Sequence, residues 1–202
     1  MKKVNLFILV FFLIGSLLTA SSGCVSHRQF RIPPLPTRGA DLYPQGQNKN
    51  GLVVAVDDYF DKNKSRQTFG IDFTEKNILV IEVIISNRSD SRYQVQSSEV
   101  LLLKADQIIY PLLASEVSSD RQVNDYLNAV ELKSMIINPG ETSHGLLYFR
   151  LPPEESKKRE IGRLSTLWPY DYSLRLAATR LDSGDRLIYT IYLRNLSISI
   201  IK

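Results

Sequence analysis

The chain has 202 residues, 44% hydrophobic and 23% charged, a balance that fits a folded domain and excludes a disordered or collagen-like chain. The formal charge is +4, but Lys2 and Lys3 supply two of those charges in a segment without an acid, so from residue 24 onward the net charge is +2. So small an excess gives no electrostatic footprint for nucleic acid, and a single cysteine excludes a disulfide framework.

The N-terminus opens with Met1-Lys2-Lys3, and Leu6 to Leu18 is apolar apart from Gly15 and Ser16. Ala20, Ser21, Ser22 and Gly23 follow, and then Cys24. A basic start, an apolar run and a small-residue zone describe a secretory signal peptide over 1–23. The run is shorter than the roughly 20 residues of a bilayer span. Ser21-Ser22-Gly23-Cys24 resembles a bacterial lipobox, with Ser21 where leucine is usual. The resemblance implies cleavage after Gly23, a diacylglycerol on the Cys24 sulfur and a palmitate-type acyl chain on its new amine. Two or more chains suffice for stable anchoring. An ordinary signal peptide with an incidental cysteine, or a retained anchor, are the alternatives. The expected location is the bacterial cell envelope. Val25 rather than aspartate after the cysteine implies, by the same resemblance, the outer membrane facing the periplasm if the cell is Gram-negative.

Residues 24–50 carry Pro33, Pro34, Pro36 and Pro44 and show no apolar period, so they read as a lipidated tether that gives the domain reach. The alternative is that "RIPPLP" packs on the domain as an edge segment. Residues 51–202 form the domain. The period there is two, with strands expected at Leu52 to Val56, Ile78 to Ser86, Ser98 to Ala105, Gln107 to Leu112, Leu132 to Ile137, Gly145 to Leu151, Tyr172 to Thr179 and Arg186 to Arg194. Turn signals at Asn87 to Asp90, Asn138-Pro139-Gly140 and Asp182 to Asp185 separate them. "ILVIEVIIS" is apolar on both faces except at Glu82, which predicts a central strand covered on both sides. In "DRQVNDYLNAVEL", Val123, Tyr126, Leu127 and Val130 share one helical face. A phase slip predicts a bulge near Asn195, and apolar "LSISII" must pair within the fold or with another chain. The sum is an all-β antiparallel sandwich of about eight strands with one short inserted helix.

Two stretches carry a family resemblance. "VIISNRSDSRYQV" and "NPGETSHGLLYFRLP" resemble bacterial extracytoplasmic Ig-like domains of the DUF4352 and telokin-like kind, over roughly Leu52 to Leu151. In the second stretch Pro139-Gly140 makes the turn, Gly145 opens the strand, Phe149 points inward and Pro152 closes it. The resemblance implies an Ig-like sandwich outside the cytoplasm and no particular activity.

Catalytic chemistry finds little to work with. Of the two histidines, His27 lies in the tether and His144 sits beside a turn, where it reads as a plain surface residue. No Ser-His-Asp set, metal-ligand spacing or Gly-rich phosphate loop assembles. The chain is therefore expected not to be an enzyme and to need no cofactor. In "VDDYFDKNKS", Asp57, Asp58 and Asp61 are a weak candidate for a hard cation, opposed by Lys62 and Lys64, with a solvated loop as the alternative. "ESKKRE" (Glu155 to Glu160) reads as a solvated turn rather than a phosphate or lipid-headgroup patch. "LWPYDY" gathers Trp168, Tyr170 and Tyr172, which would either form a binding platform or cap the sandwich end. The expected function is a lipid-anchored, non-catalytic accessory or scaffold subunit that binds another envelope protein. The alternative is a module for glycan, peptidoglycan or a small ligand that uses the Trp168 loop.

Overall fold

The structure, a computed structural model, describes residues 35, 38–105, 107–152 and 172–193. The signal segment with Gly23, Cys24, His27, Glu155 to Glu160, Trp168, Tyr170, Asn195 and Leu196 to Ile201 lie outside them. In chain order the elements are β1 (Gln47–Lys49), β2 (Leu52–Asp58), α1 (Lys62–Phe69), β3 (Ile78–Asn87), β4 (Tyr93–Val95) and β5 (Leu101–Lys104). Then come β6 (Gln107–Ile109), β7 (Pro111–Leu112), α2 (Arg121–Val130), β8 (Met135–Ile137), β9 (Thr142–Arg150), β10 (Tyr172–Arg180) and β11 (Arg186–Tyr192).

The strands form two antiparallel sheets. The first has the order β1-β2-β3-β9-β7. The second has the order β6-β5-β10-β4-β8, with β11 along the other flank of β10. The all-β sandwich expected from the period-two pattern is therefore the observed architecture. Alternation fills its middle: Val54 and Val56 of β2, Leu79, Ile81 and Val83 of β3 and Phe149 of β9 meet Leu102, Leu174, Leu176, Tyr189 and Ile191 of the second sheet. Each such aliphatic side chain contributes about 1.5–3 kcal/mol on burial.

All ten residues of β3 are buried, because the outer face of the first sheet is covered as well. At one end Ile78, Val80, Leu146 and Tyr148 pack under Phe69 and Phe73 and under Val123, Tyr126 and Leu127 of α2. At the other, Val53, Ala55 and Ile84 pack under Ala40 and Tyr43. The predicted helix over the "DRQVNDYLNAVEL" stretch is α2, with its expected apolar face turned onto this sheet.

Four features differ from the sequence reading. The chain expected to be tether up to Asn50 joins the fold earlier: Ala40 is buried, its N–H donates to Ser86 Oγ at 2.9 Å, and β1 pairs with β2. Asn50 (φ 52°) and Gly51 (φ 82°) make the two-residue turn of that hairpin, the left-handed pair that a tight antiparallel turn demands. Leu35, within "RIPPLP", is buried in the cluster that also holds Tyr59 and Phe69. A second helix, α1, starts where a loop was expected. Asp61 caps it by accepting from Lys64 N–H at 2.8 Å, and Gly70 ends it at φ 70°. Finally, "QIIYPL" is two strands in different sheets, since β6 pairs with β5 and β7 pairs with β9. With β1 and β4, this split raises the count from about eight strands to eleven among the described residues.

One lateral seam is closed by side chains. Gln47 Nε2 donates to Thr190 O at 2.7 Å, Lys49 Nζ donates to Ile188 O, and Tyr189 Oη donates to Leu52 O at 2.8 Å. The otherwise open edge of β11 is thus bound to the first sheet. No described helix is long and apolar enough to cross a membrane.

Candidate functional site

Two surfaces are built differently from a plain sandwich: a polar cluster beneath the cover of the first sheet, and the outer face of the second, which no described element covers. The polar cluster centres on Glu82. Midway along β3 it points outward, across the ladder from Asp57 of β2 and Leu146 of β9. The helical and N-terminal cover leaves its side chain 0% exposed. Tyr59, just past β2, donates its hydroxyl to Glu82 Oε2 at 3.0 Å. His144 of β9 places Nδ1 3.1 Å from Glu82 Oε1 and is itself 27% exposed. Each carboxylate oxygen thus has one partner.

Burial pushes the Glu82 carboxyl above the usual carboxylate range, opposed by the Tyr59 hydrogen bond and by the neighbouring His144. Burial likewise pushes the Tyr59 hydroxyl far above the ordinary tyrosine value, and the Glu82 charge adds to that. Tyr59 is fixed by its ring as well as its hydroxyl. The ring meets Phe69 edge-on at 4.8 Å, and the Lys64 ammonium stands 4.6 Å from its centroid.

The acids of "VDDYFDKNKS" do not converge. Asp61 is committed to the α1 cap, and Asp57 is ion-paired with Lys64. Lys64 also donates to Asp58 O at 2.6 Å, while Asp58 Oδ1 accepts from Phe60 N–H at 3.4 Å. Burial raises Asp58 towards its neutral form, with the Lys64 charge opposing. Among the described residues no group of three or more His, Cys, Asp or Glu side chains is placed to hold a metal ion. The stretch forms a capped helix, and each of the three carboxylates already has a partner in the chain.

The aromatic platform also changes. Tyr172 faces inward on β10, 4% exposed and part of the sandwich core, so it cannot present a ring to a ligand. Trp168 and Tyr170 lie outside the described residues. His144, read from sequence as a surface residue, sits instead at the solvent edge of the buried Glu82 cluster. Glu82 was visible as the only charged residue in its strand. Its partners, 23 and 62 residues away, were not.

The second sheet turns outward a face on which large apolar side chains are exposed among polar ones. Register aligns Ile108, Leu103, Ser173 and Tyr192 in one row across β6, β5, β10 and β11. Further along, Ala177 lies beside Ile188, and Thr179 lies beside Gln94, which pairs with Ile136. Ile108 is 52% exposed, Tyr192 61%, Ile136 48% and Ile188 39%. The cations on the same face are Arg175 and Arg186, and Arg186 is paired with Glu99 at 3.0 Å. Tyr110 and Leu113, also exposed, extend the apolar edge where the chain crosses from β6 past β7. Among the described residues no helix covers this face.

The family model described as "Domain of unknown function (DUF4352)" matches residues 46–163, more than half of the chain. No protein with a curated description matches. Solved structures to which the chain is similar include the yjhA protein from Bacillus subtilis, at 16% identity and a TM-score of 0.48, covering 75% of this chain and 97% of that one. Another is ycdA from Bacillus subtilis subsp. subtilis str. 168, which carries a provisional lipoprotein designation. It is 16% identical with a TM-score of 0.41, and the match covers 76% of this chain but 40% of that one. A FixG-related protein from Vibrio parahaemolyticus is 7% identical with a TM-score of 0.37, covering 73% of this chain and all of that one.

Proposed function

The chain belongs to the DUF4352 family, and from that premise we propose a lipid-anchored, non-catalytic envelope protein whose sandwich, of the Ig-like kind, docks another envelope protein. The observation that carries the reading is the outer face of the second sheet. Ile108, Ile136, Ile188 and Tyr192 stand on one surface, whereas the equivalent face of the first sheet is hidden by its own chain. Several large exposed apolar side chains on one sheet face, set among polar ones, are the composition of a protein interaction site. Aromatic anchors such as Tyr192 are over-represented among the residues that dominate such interfaces.

The anchor reading rests on Ser21-Ser22-Gly23-Cys24 behind an apolar run. Lipidation at Cys24 would hold the domain at the envelope membrane, the outer membrane facing the periplasm if the cell is Gram-negative. The non-catalytic reading rests on the chemistry in hand. The described histidine is tied to a buried carboxylate, and the acids near it are occupied by Lys64 and by the α1 cap. The glycan or small-ligand reading depended on three aromatics and loses Tyr172 to the core.

The test is in-cell crosslinking of the tagged full-length protein, followed by identification of what co-purifies from detergent, with Cys24→Ala in parallel. One or two dominant envelope proteins, depleted in Cys24→Ala, are the expected result. Recovery of cell-wall fragments with no protein partner would replace this reading with the glycan-binding one.

A further inference from the structure

Three parts of the fold meet at one carboxylate. Glu82 belongs to β3, His144 reaches it from β9, and Tyr59 reaches it from the chain that leads into α1. We propose that Glu82 and His144 share a single proton, and that this proton is a latch holding the Tyr59–Phe69 segment over the outer face of the first sheet. The inference stands apart from the docking reading.

The charge count supports it. With one proton between them the pair is neutral as a whole, whichever atom carries it: imidazolium with carboxylate, or imidazole accepting from a carboxyl O–H. Removing that proton leaves a wholly buried anion, and burying an uncompensated charge is among the most expensive events in a fold. The surroundings offer that anion one neutral donor, the Tyr59 hydroxyl, and no second cation in hydrogen-bond contact among the described residues. Asp57 of β2 faces Glu82 directly across the ladder and carries the same sign. Its charge is met by Lys64 of α1, whose ammonium is already engaged by Asp57 and by Asp58 O. From the N-terminal cover, from the β2–α1 connection and from α2 come Tyr43, Tyr59 and Tyr126, hydroxyls that burial raises further from ionisation. Among the described residues the cationic group in hydrogen-bond contact with Glu82 is His144. Partial exposure of its ring gives the proton a path to water.

Release of the proton would act on the cover through desolvation: the Tyr59 hydroxyl still donates to the anion, but that anion is fully hydrated only once the Tyr59 segment lifts. The Tyr59 side chain is the direct link between Glu82 and the covering segment, and Phe69 at the far end of α1 packs on the same ring. The sign follows from linkage. A carboxyl raised by burial favours the folded state while protonated, so its contribution is complete below the ordinary glutamate value and is lost as pH rises through the raised one. The latch therefore loosens towards alkaline pH.

Hydrogen exchange of the full-length protein, read by mass spectrometry at about pH 5.5 and about pH 8.5 and corrected for intrinsic exchange, tests it. Opening of residues 59–69 is expected to rise about tenfold or more at the higher pH, with β10 and β11 unchanged and the pH effect abolished in Glu82→Gln. Equal opening at both pH values, the same pH effect in Glu82→Gln, or parallel opening of β10 and β11 would overturn the proposal. The imidazole nitrogen resonances of the wild-type fold give a second readout should Glu82→Gln fail to fold. The chain has two histidines, so a His27→Gln version leaves His144 alone to observe. A His144 ring that titrates as free histidine does would also overturn it.

Discussion

At the scale of single residues, Asn87, at the end of β3, bonds to several parts of the fold. Its Nδ2 donates to Ser91 O at 2.7 Å and to Ile137 O at 3.1 Å, and its Oδ1 accepts from Ser89 N–H at 3.0 Å. Its main chain bonds the β8–β9 turn in both directions, N–H to Glu141 O and O from Gly140 N–H. The two stretches that carry the family resemblance are therefore joined at this residue, which ties the first sheet to β8 of the second. Asn87→Ala removes a side-chain donor from each of two buried carbonyls and should cost about 1–3 kcal/mol, since such groups are expensive to leave under-satisfied. Thermal unfolding reads this as a fall of about 2–4 °C per kcal/mol for a domain of this size. The pattern of a strand ending in asparagine before a polar turn was legible in the sequence, but the long-range carbonyl at Ile137 was not. Glu82 followed the same course: one charged residue in a largely apolar strand was visible, while Tyr59 and His144 came to it only through the fold.

At the scale of elements, legibility depended on whether the signal was apolar. The long strands β2, β3, β9, β10 and β11 and the amphipathic α2 all carry strong periods and were expected near where they lie. Two of the elements missed, α1 and β1, are polar, and β4 is only three residues long. α1 (KNKSRQTF) buries little beyond Ser65 and Phe69, so no stripe announced it, yet Asp61 before it and Gly70 after it are a start and a stop signal. Asp61→Ala should weaken this helix by about 0.5–2 kcal/mol, read as faster exchange of its first-turn amides. β1 was hidden in a proline-rich stretch, although Asn50-Gly51 is the sequence signature of its turn. Gly145 has another use than opening a strand: β9 begins at Thr142, and a Cβ at Gly145 would lie 2.6 Å from Leu132 Cα. There the chain after α2 crosses β9, with Leu132 N–H donating to Leu146 O at 2.8 Å. Gly145→Ala is expected to lose about 1–3 kcal/mol to overpacking, whereas Gly140→Ala, with open space around it, is limited to the cost of its positive φ. Chemical denaturation of the two variants side by side checks the order.

At the scale of the whole molecule, the two outer faces divide the work. The first sheet is sealed by helices and by the N-terminal segment, with a proton-bearing pair inside the seal. Among the described residues no element covers the second sheet, whose outer face exposes Ile108, Ile136, Ile188 and Tyr192, and that asymmetry is the basis for the docking proposal. Sequence could give the two-sheet architecture through its alternating strands, but which face is covered depends on where α1, α2 and residues 38–50 pack, which no local pattern encodes. Substitutions on the outer face of the second sheet should spare the fold: Ile188→Lys and Tyr192→Asp are expected to change unfolding free energy by under about 0.5–1 kcal/mol while weakening partner capture. The most direct measurement is site-specific photo-crosslinking in cells, with the reactive residue introduced at position 192 in one strain and at position 121, on the exposed surface of α2, in another. The account predicts discrete protein adducts from position 192 and none from position 121. Adducts from position 121 with position 192 silent would contradict it, because the partner would then be reading the covered face of the first sheet.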